Sequence, residues 1–125
     1  MSATTSLTDD GNLFSNPSLY RTIVGSLQYL TYTRHDISFV VNKLSQFLSS
    51  PKDQHWLACK RLLRYLKGTV GLGLIFTPSF HLPLHVYTDA NHVGCKVTRR
   101  STSGLCVFLG NNLIVWSSKK QSVVA

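Results

Sequence analysis

Asp89 is the side chain in this sequence best suited to acid–base or metal chemistry. It follows the apolar run of residues 84–88, a pattern that places it at the end of a strand. A carboxylate in that position can bind a divalent cation, transfer a proton, or simply accept backbone N–H groups. The chain has five aspartates and no glutamate, and Asp89 is the only acidic residue in residues 71–125. Any chemistry at Asp89 therefore lacks a second carboxylate from this half of the chain.

Histidine and cysteine offer a second, weaker possibility for metal binding. The three cysteines form no Cys-x-x-Cys pair, and the five histidines are scattered. His81 and His85 are four residues apart, but Pro83 between them excludes a helix that would stack them on one face. Cys95 lies nearby in the sequence. Because no further ligand spacing accompanies these residues, a zinc site is not supported.

Positive charge is the other chemical feature of the chain. Thirteen Lys and Arg residues give a net charge of +8, although charged residues make up only 14% of the sequence. Such a balance favours an anionic partner, most often nucleic acid, over a basic surface without a ligand. Lys96 adds to the charge near the predicted strands. The candidate nucleic-acid-binding residues are Lys60, Arg61, Arg64, Lys67, Arg99, Arg100, Lys119 and Lys120.

Each basic group has two interpretations. Lys60, Arg64 and Lys67 share one side of a helix, which is either a solvated polar face or a ridge that follows phosphates. Residues 99–103 form either a turn stabilised by Ser and Thr hydroxyls or a phosphate site of arginine and hydroxyl donors. Four aromatic residues between the cations could stack on bases, although the two tryptophans also suit a core. They are Trp56, Tyr65, Tyr87 and Trp116.

The elements that position these residues change type near residue 70. Residues 1–15 are polar, rich in Ser and Thr and aperiodic, which predicts a disordered tail. Residues 16–70 have the apolar periodicity of three helices. Asn16, Asp36 and Ser50 are placed to cap their first turns. The basic cluster around Arg64 falls on the third helix.

Residues 71–125 have the pattern of a β region. Short β-branched and aromatic runs alternate with turn clusters at 71–76, 84–88, 104–109 and 113–116. The turn at 110–112 joins the last two runs as a hairpin. The fold class is therefore α+β, with three helices followed by antiparallel strands. Because no helix follows to cover one face of the sheet, we expect that face to mediate self-association or to bind a partner.

Composition excludes several classes of protein. Hydrophobic residues make up 43% of the chain, which excludes wholesale disorder. No apolar run approaches the roughly 20 residues of a membrane-spanning helix. The first ten residues contain neither a basic segment nor an apolar one, which argues against a secretory signal and an Arg-rich transit peptide. Widely spaced cysteines in odd number predict a reducing, intracellular compartment without specifying which one.

Six short blocks of the sequence, in their order along the chain, carry a family resemblance. YRTIVGSLQYLT (20–31), TRHDI (33–37) and KRLLRYLKGT (60–69) are similar to the end of the reverse-transcriptase region of Ty1/copia-type retrotransposon Pol polyproteins. YTDAN (87–91), RSTSG (100–104) and WSSKKQ (116–121) resemble the start of the ribonuclease H domain that follows it. The resemblance covers residues 14–125. The conjunction of several blocks in one order makes it specific.

The resemblance implies a fold and a role for Asp89. Residues 71–125 would form the first strands of a truncated RNase H-like sheet, and residues 16–70 the C-terminal or connection segment of the reverse transcriptase. Asp89 would be a catalytic metal ligand on the first strand. In the family, further carboxylates follow on a later helix and strand, and the paired aspartates of the polymerase lie upstream. The sequence departs from the family at His35, where proline is usual, at residues 91–92, where Asp-Trp is usual, and at Cys95, where an acid is common.

The implied nuclease cleaves RNA–DNA hybrids with two Mg²⁺ ions. Two cations about 4 Å apart need several carboxylates to hold them and to offset their charge. Asp89 alone could hold a single, hydrated Mg²⁺ weakly. We therefore expect a Pol-derived fragment that binds RNA–DNA hybrid or other nucleic acid weakly, binds no Mg²⁺ stably and has no ribonuclease H activity by itself.

Overall fold

A computed structural model describes residues 7–91 and 100–124 of the chain. The chain divides between Leu72 and Gly73 into two compact units, a helical unit and a β unit. Within the described residues, no helix combines the length and the apolar character needed to cross a membrane.

The helical unit contains three α-helices and one short 3₁₀ turn. Helix α1 spans Pro17–Leu30, the turn spans His35–Ile37, α2 spans Ser38–Ser45 and α3 spans Asp53–Gly68. The start of α1 is as predicted: Asn16 Oδ1 accepts the N–H of Leu19 at 3.2 Å, and proline occupies the first helical position. Proline suits that position because its missing N–H would have no partner there.

The core of the helical unit joins one face of each helix. Tyr20 is fully buried, and its hydroxyl donates to the carbonyl of Leu44 at 2.7 Å. Each large side chain of this kind stabilises the fold by about 1.5–3 kcal/mol through the apolar surface that it removes from water. The buried core cluster is Tyr20, Val24, Leu27, Ile37, Val41, Leu44, Cys59 and Leu62. Within α2, the spacing of the cluster residues follows the predicted 3.6-residue period.

The predicted cap of α2 is wrong. Asp36 lies in the 3₁₀ turn, and α2 begins at Ser38 without a side-chain cap. The carboxylate of Asp36 instead pairs with Arg34 at 2.8 Å. A charge-assisted hydrogen bond of this type is about twice as strong as a neutral one, which explains why it outcompetes a cap.

The predicted start of α3 is also wrong. Ser50 does not cap the helix, which begins three residues later at Asp53. The N–H of Lys52 donates to Nδ1 of His55 at 2.9 Å. His55 is fully buried and stacks on Phe47, with ring centroids 3.8 Å apart. The local bond from Lys52 to His55 closes the first turn, and the tertiary stack on Phe47 holds the ring that accepts this bond. Common N-cap preferences do not reveal this start, because lysine is not a typical N-cap residue.

Part of the predicted tail packs against α3. Nε2 of His55 lies 2.7 Å from the carbonyl oxygen of Thr8. Phe14 stacks on Trp56, with ring centroids 4.8 Å apart. Burial lowers the pKa of His55, so the ring is neutral at pH 7, accepting at Nδ1 and donating at Nε2. The expectation of disorder up to residue 15 is thus wrong for residues 8–14, because a few contacts to buried groups outweigh their polar composition.

The β unit contains a three-stranded antiparallel sheet within the described residues. Strand β1 spans Leu84–Asn91, β2 spans Arg100–Leu109 and β3 spans Asn112–Val124, in the order β1-β2-β3. The hairpin turn between β2 and β3 is as predicted. Gly110 adopts φ of 62° there, a conformation that favours glycine. The α+β class is confirmed.

One predicted strand is absent. Residues 71–76 have no strand partner among the described residues. Two glycines in this run weaken its strand preference, since they add backbone freedom without side-chain packing. Just beyond it, the amide side chain of Asn112 accepts the N–H of Thr77 at 2.7 Å and donates to its carbonyl at 2.9 Å. The side chain of Asn112 therefore satisfies the backbone N–H and carbonyl groups of Thr77, which a neighbouring strand would satisfy in a sheet.

Candidate nucleic-acid interface

Helix α3 presents its cations on the side opposite to its buried residues. His55, Cys59 and Leu62 recur at intervals of four and three and form the buried side. At about 100° per residue, each cation of the helix lies more than roughly 110° from the centre of that side. Three of the cations are exposed and one is partly buried. This surface, called the basic face below, consists of Lys60, Arg61, Arg64 and Lys67.

Few acidic side chains of the described chain lie near the cations of the basic face. Lys60, Arg64 and Lys67 form no ion pair within residues 7–91 and 100–124. Asp53 shares their side of α3, but it lies seven residues before Lys60, roughly 10 Å along the helix axis. These cations are therefore available to an external anion.

A buried arginine braces the C-terminal end of α3. Arg34 is only 7% exposed, and its Nε and Nη2 donate to the two carboxylate oxygens of Asp36 at 3.0 and 2.8 Å. Its Nη1 donates to the carbonyl of Thr69, just beyond the helix, at 3.0 Å. The hydroxyl of Tyr65, on α3 itself, donates to Asp36 at 2.6 Å. The loop before α2 and the end of α3 are thus held by one hydrogen-bonded cluster.

This cluster fixes the ionisation of its members. The hydrogen bond from Arg34 holds the pKa of Asp36 at about 2, against the opposing effect of its partial burial. The hydrogen bond to Asp36 raises the pKa of Tyr65. Asp36 therefore stays ionised at neutral pH and neutralises Arg34, so Arg34 belongs to the internal structure and adds nothing to the basic face.

Two aromatic residues proposed to stack on bases are used internally. Arg34 lies over the ring of Tyr65, 5.8 Å from its centroid. Trp56 stacks on Phe14. The sequence does not reveal these assignments because both partners come from distant positions.

The structure instead exposes two tyrosines that the sequence argument missed. Tyr29 and Tyr32 are 78% and 75% exposed, and their rings meet edge to face with centroids 5.7 Å apart. Tyr29 lies about half a turn from Tyr20 around α1, outside the buried stripe. An aromatic residue outside the apolar stripe of its helix is a signal visible in the sequence, and this signal could have identified Tyr29.

The remaining basic candidates belong to the β unit. Lys119 pairs with Ser103 and Lys120 with Thr102 across the β2–β3 ladder. Because neighbouring strand residues point to opposite faces, the two lysines lie on different sides of the sheet. The backbone of Arg100 is in β2, whereas Arg99 and Lys96 lie outside the described residues. The sheet therefore does not gather its two described lysines on one face.

The interpretation of residues 99–103 as a turn is wrong for its described part. Residues 100–103 belong to β2, where backbone ladder bonds replace a turn. Ser101 and Thr102 are each 4% exposed. Their hydroxyls are therefore not on the surface that a phosphate would contact.

Asp89 is exposed on β1, opposite Gly104 of β2. Among residues 7–91 and 100–124, no three side chains of His, Cys, Asp or Glu come together as a metal-binding group. His92 and Cys95 lie outside the described residues. Since the sequence supplies no other carboxylate in residues 71–125, the donor set does not fit a pair of Mg²⁺ ions.

Comparison with known proteins places this α+β chain in a family. It is 50% identical over 114 residues to the retrovirus-related Pol polyprotein from transposon RE1 of Arabidopsis thaliana, covering 91% of this chain and 8% of that protein. It is 40% identical over 122 residues to the Pol polyprotein from transposon TNT 1-94 of Nicotiana tabacum, covering 97% of this chain and 9% of that protein. It is 45% identical over 107 residues to the secreted RxLR effector protein 161 of Plasmopara viticola, covering 85% of this chain and 75% of that protein.

These similarities extend over most of the chain. The chain belongs to the retrotransposon Pol polyproteins, a family that includes Ty1/copia-type members, as the sequence blocks indicated. It spans less than a tenth of the length of the two Pol polyproteins compared above. No family model and no solved structure matches it.

Proposed function

We propose that this Pol-derived chain binds nucleic acid through the basic face of α3. The observation that carries this proposal is a set of solvent-facing cations on one helix side, three of them without an acidic partner in the described chain. The helix is braced at both ends, by His55 at its start and by Tyr65 and Thr69 at its end. Because the helix is already formed and braced, only the side chains of the cations lose conformational freedom when they meet phosphates.

The dimensions of the basic face suit a phosphate backbone. Lys60 and Lys67 are roughly 10 Å apart along the helix axis. This separation equals about three phosphate-to-phosphate steps along one strand in a duplex, where the axial rise is near 3.4 Å per step. Contacts of this kind are electrostatic and independent of sequence, so they supply affinity and positioning rather than base specificity.

Neutralising the basic face is expected to reduce the salt dependence of binding. The triple change Lys60→Gln, Arg64→Gln and Lys67→Gln removes three cations that would each meet a phosphate. For single strands, the slope of log K against log salt should become shallower by about 2, at about 0.7 for each cation neutralised. Fluorescence anisotropy with a labelled oligonucleotide at several salt concentrations measures this slope.

The matched control removes the same charge elsewhere in the helical unit. Arg21→Gln, Lys43→Gln and Lys52→Gln lower the net charge equally but leave the basic face intact. This control should retain most of the slope. An equal change of slope in both triple variants would mean that net charge alone, and not the basic face, attracts the nucleic acid.

We further infer that the β unit derives from a ribonuclease H domain and that this chain does not hydrolyse RNA–DNA hybrids by itself. The blocks YTDAN, RSTSG and WSSKKQ support the origin. The isolated carboxylate of Asp89 supports the lack of activity, because in-line hydrolysis with two metal ions needs several carboxylates.

Incubation with a labelled RNA–DNA hybrid should leave it uncut in Mg²⁺ or Mn²⁺. The separation of products on a denaturing gel measures cleavage. Cleavage that disappears in an Asp89→Asn variant would show an active nuclease and refute this inference. Cleavage that persists in that variant would identify a contaminant.

A second candidate function is that of an interaction fragment. Leu84 and Val86 lie on the same face of β1 and are 65% and 55% exposed, which is unusual for apolar strand residues. An uncovered apolar sheet surface favours self-association or a protein partner. Sedimentation at increasing protein concentration distinguishes this role from nucleic-acid binding by a monomer.

A further inference from the structure

The exposed pair Tyr29 and Tyr32 has no role in the core of the helical unit. Both rings are at least three-quarters exposed, and they contact each other edge to face. In that geometry the face of one ring meets the edge of the other, so ring faces remain open to solvent. Open aromatic faces beside cations are the surface on which nucleic-acid bases stack.

Tyr29 also lines a groove between α1 and α3. The groove has a volume of about 390 Å³, and its walls include Tyr29 and Leu30 from α1 and Leu63 and Leu66 from α3. A cavity of this size lies within the range of small-ligand sites, roughly 300–1,000 Å³. An apolar groove open at one side can accept a flat aromatic group such as a base.

The groove borders the basic face. Leu63 follows Lys60 by three residues and precedes Lys67 by four, and side chains at these spacings are neighbours on a helix. The apolar wall supplied by α3 is therefore edged by two cations of the basic face. Helix α1 contains no acidic residue that would repel a phosphate on the other side.

We propose, building on the nucleic-acid-binding function above, that the ligand is single-stranded DNA or RNA. Its phosphates lie along the basic face, and one or two of its bases stack on Tyr29 and Tyr32 at the mouth of the groove. A duplex cannot bind in this way, because its base faces are already stacked on one another. Exposed bases are what aromatic side chains recognise in single strands.

The test uses the whole chain with two labelled probes, a 12-nucleotide single strand of mixed sequence and the 12-base-pair duplex that contains it. The double variant Tyr29→Leu and Tyr32→Leu retains apolar side chains but removes the aromatic faces. It should weaken single-strand binding by about 5- to 150-fold, the range for loss of one stacked base. Duplex binding should change less than about twofold, because phosphate contacts are preserved.

A conservative variant separates stacking from other roles. Tyr29→Phe with Tyr32→Phe keeps both ring faces and should bind the single strand as the unchanged chain does. Loss of affinity in this variant would assign the effect to hydroxyl hydrogen bonds and overturn the stacking proposal. Circular dichroism establishes that each variant is folded.

The stacking proposal and the proposed function would be refuted by different results. If the Tyr→Leu variant binds the single strand normally while the neutralised basic face weakens it, stacking is refuted and the proposed function stands. If neutralising the basic face changes nothing, the proposed function itself is refuted. Tighter binding to the duplex than to the single strand would also refute the single-strand proposal, as would equally tight binding of a helical 12-residue peptide of Glu and Leu.

Discussion

Arg34→Met is expected to lower the free energy of unfolding of the helical unit by about 3 kcal/mol, at the lower end of the range for breaking a buried ion pair, because Asp36 is partly exposed. The substitution removes the side-chain hydrogen bonds of Arg34 to Asp36 and Thr69, and it keeps the hydrogen bond from the Tyr65 hydroxyl to the Asp36 carboxylate. Urea denaturation followed by far-ultraviolet circular dichroism measures the change. Arg64→Met is the matched control, because Arg64 is exposed and makes no ion pair in the described chain.

The same variant should show a defined pH dependence. The pKa of Asp36 is about 2 in the folded chain, below the value of about 3.9 for an unfolded aspartate. The unfolded state then binds more protons between these values, so the stabilisation by Asp36 is complete above about pH 4 and is lost as the pH falls through about 2. The difference between wild type and Arg34→Met should therefore be constant from pH 5 to 8 and shrink below pH 4. A difference that does not change with pH, or an equal loss of stability in Arg64→Met, would contradict the role assigned to this pair.

Tyr20→Ala is expected to lower the free energy of unfolding by about 4 kcal/mol, in the range for truncating a large aromatic residue in a core. Tyr20 has no exposed surface and contributes to the cluster that joins all three helices. Burial also raises the pKa of its hydroxyl, so the group stays neutral and acts as a donor. The midpoint of urea denaturation at constant slope measures the loss of stability.

Two further variants distinguish the contribution of packing by Tyr20 from that of its hydrogen bond. Tyr20→Phe keeps the ring and removes only the donor to Leu44, which should cost about 1 kcal/mol. The cost is modest because the carbonyl of Leu44 also accepts the N–H of Phe47 at 3.2 Å. Tyr29→Ala, at a position that is 78% exposed, should change stability by less than about 0.5 kcal/mol. A large destabilisation by Tyr29→Ala would mean that its side chain packs in solution.

The sequence predicts those features of the fold that depend on neighbours along the chain. The start of α1 follows from Asn16 and Pro17, since cap and first turn are local. The basic face follows from helical spacing alone. The hairpin at Gly110 follows from its turn residues.

Features decided by distant contacts could not be predicted in this way. The start of α3 depends on His55 meeting Phe47 and Thr8, residues that no local pattern connects. The sequence suggests base stacking for Tyr65 because nothing in its vicinity shows that Arg34 covers it. Strand β3 continues to Val124 through a polar stretch, because its ladder with β2 is made of backbone groups that composition does not describe.

The two sides of α3 have separate consequences for inheritance. Residues that support the fold and residues that carry the charge lie about half a turn apart on the helix, so substitutions on the two sides should add independently. Under the proposed binding function, an inherited substitution of one of these cations would weaken the attraction for phosphates while the core stays intact. An inherited substitution on the buried side would instead lower stability without changing the charge of the helix.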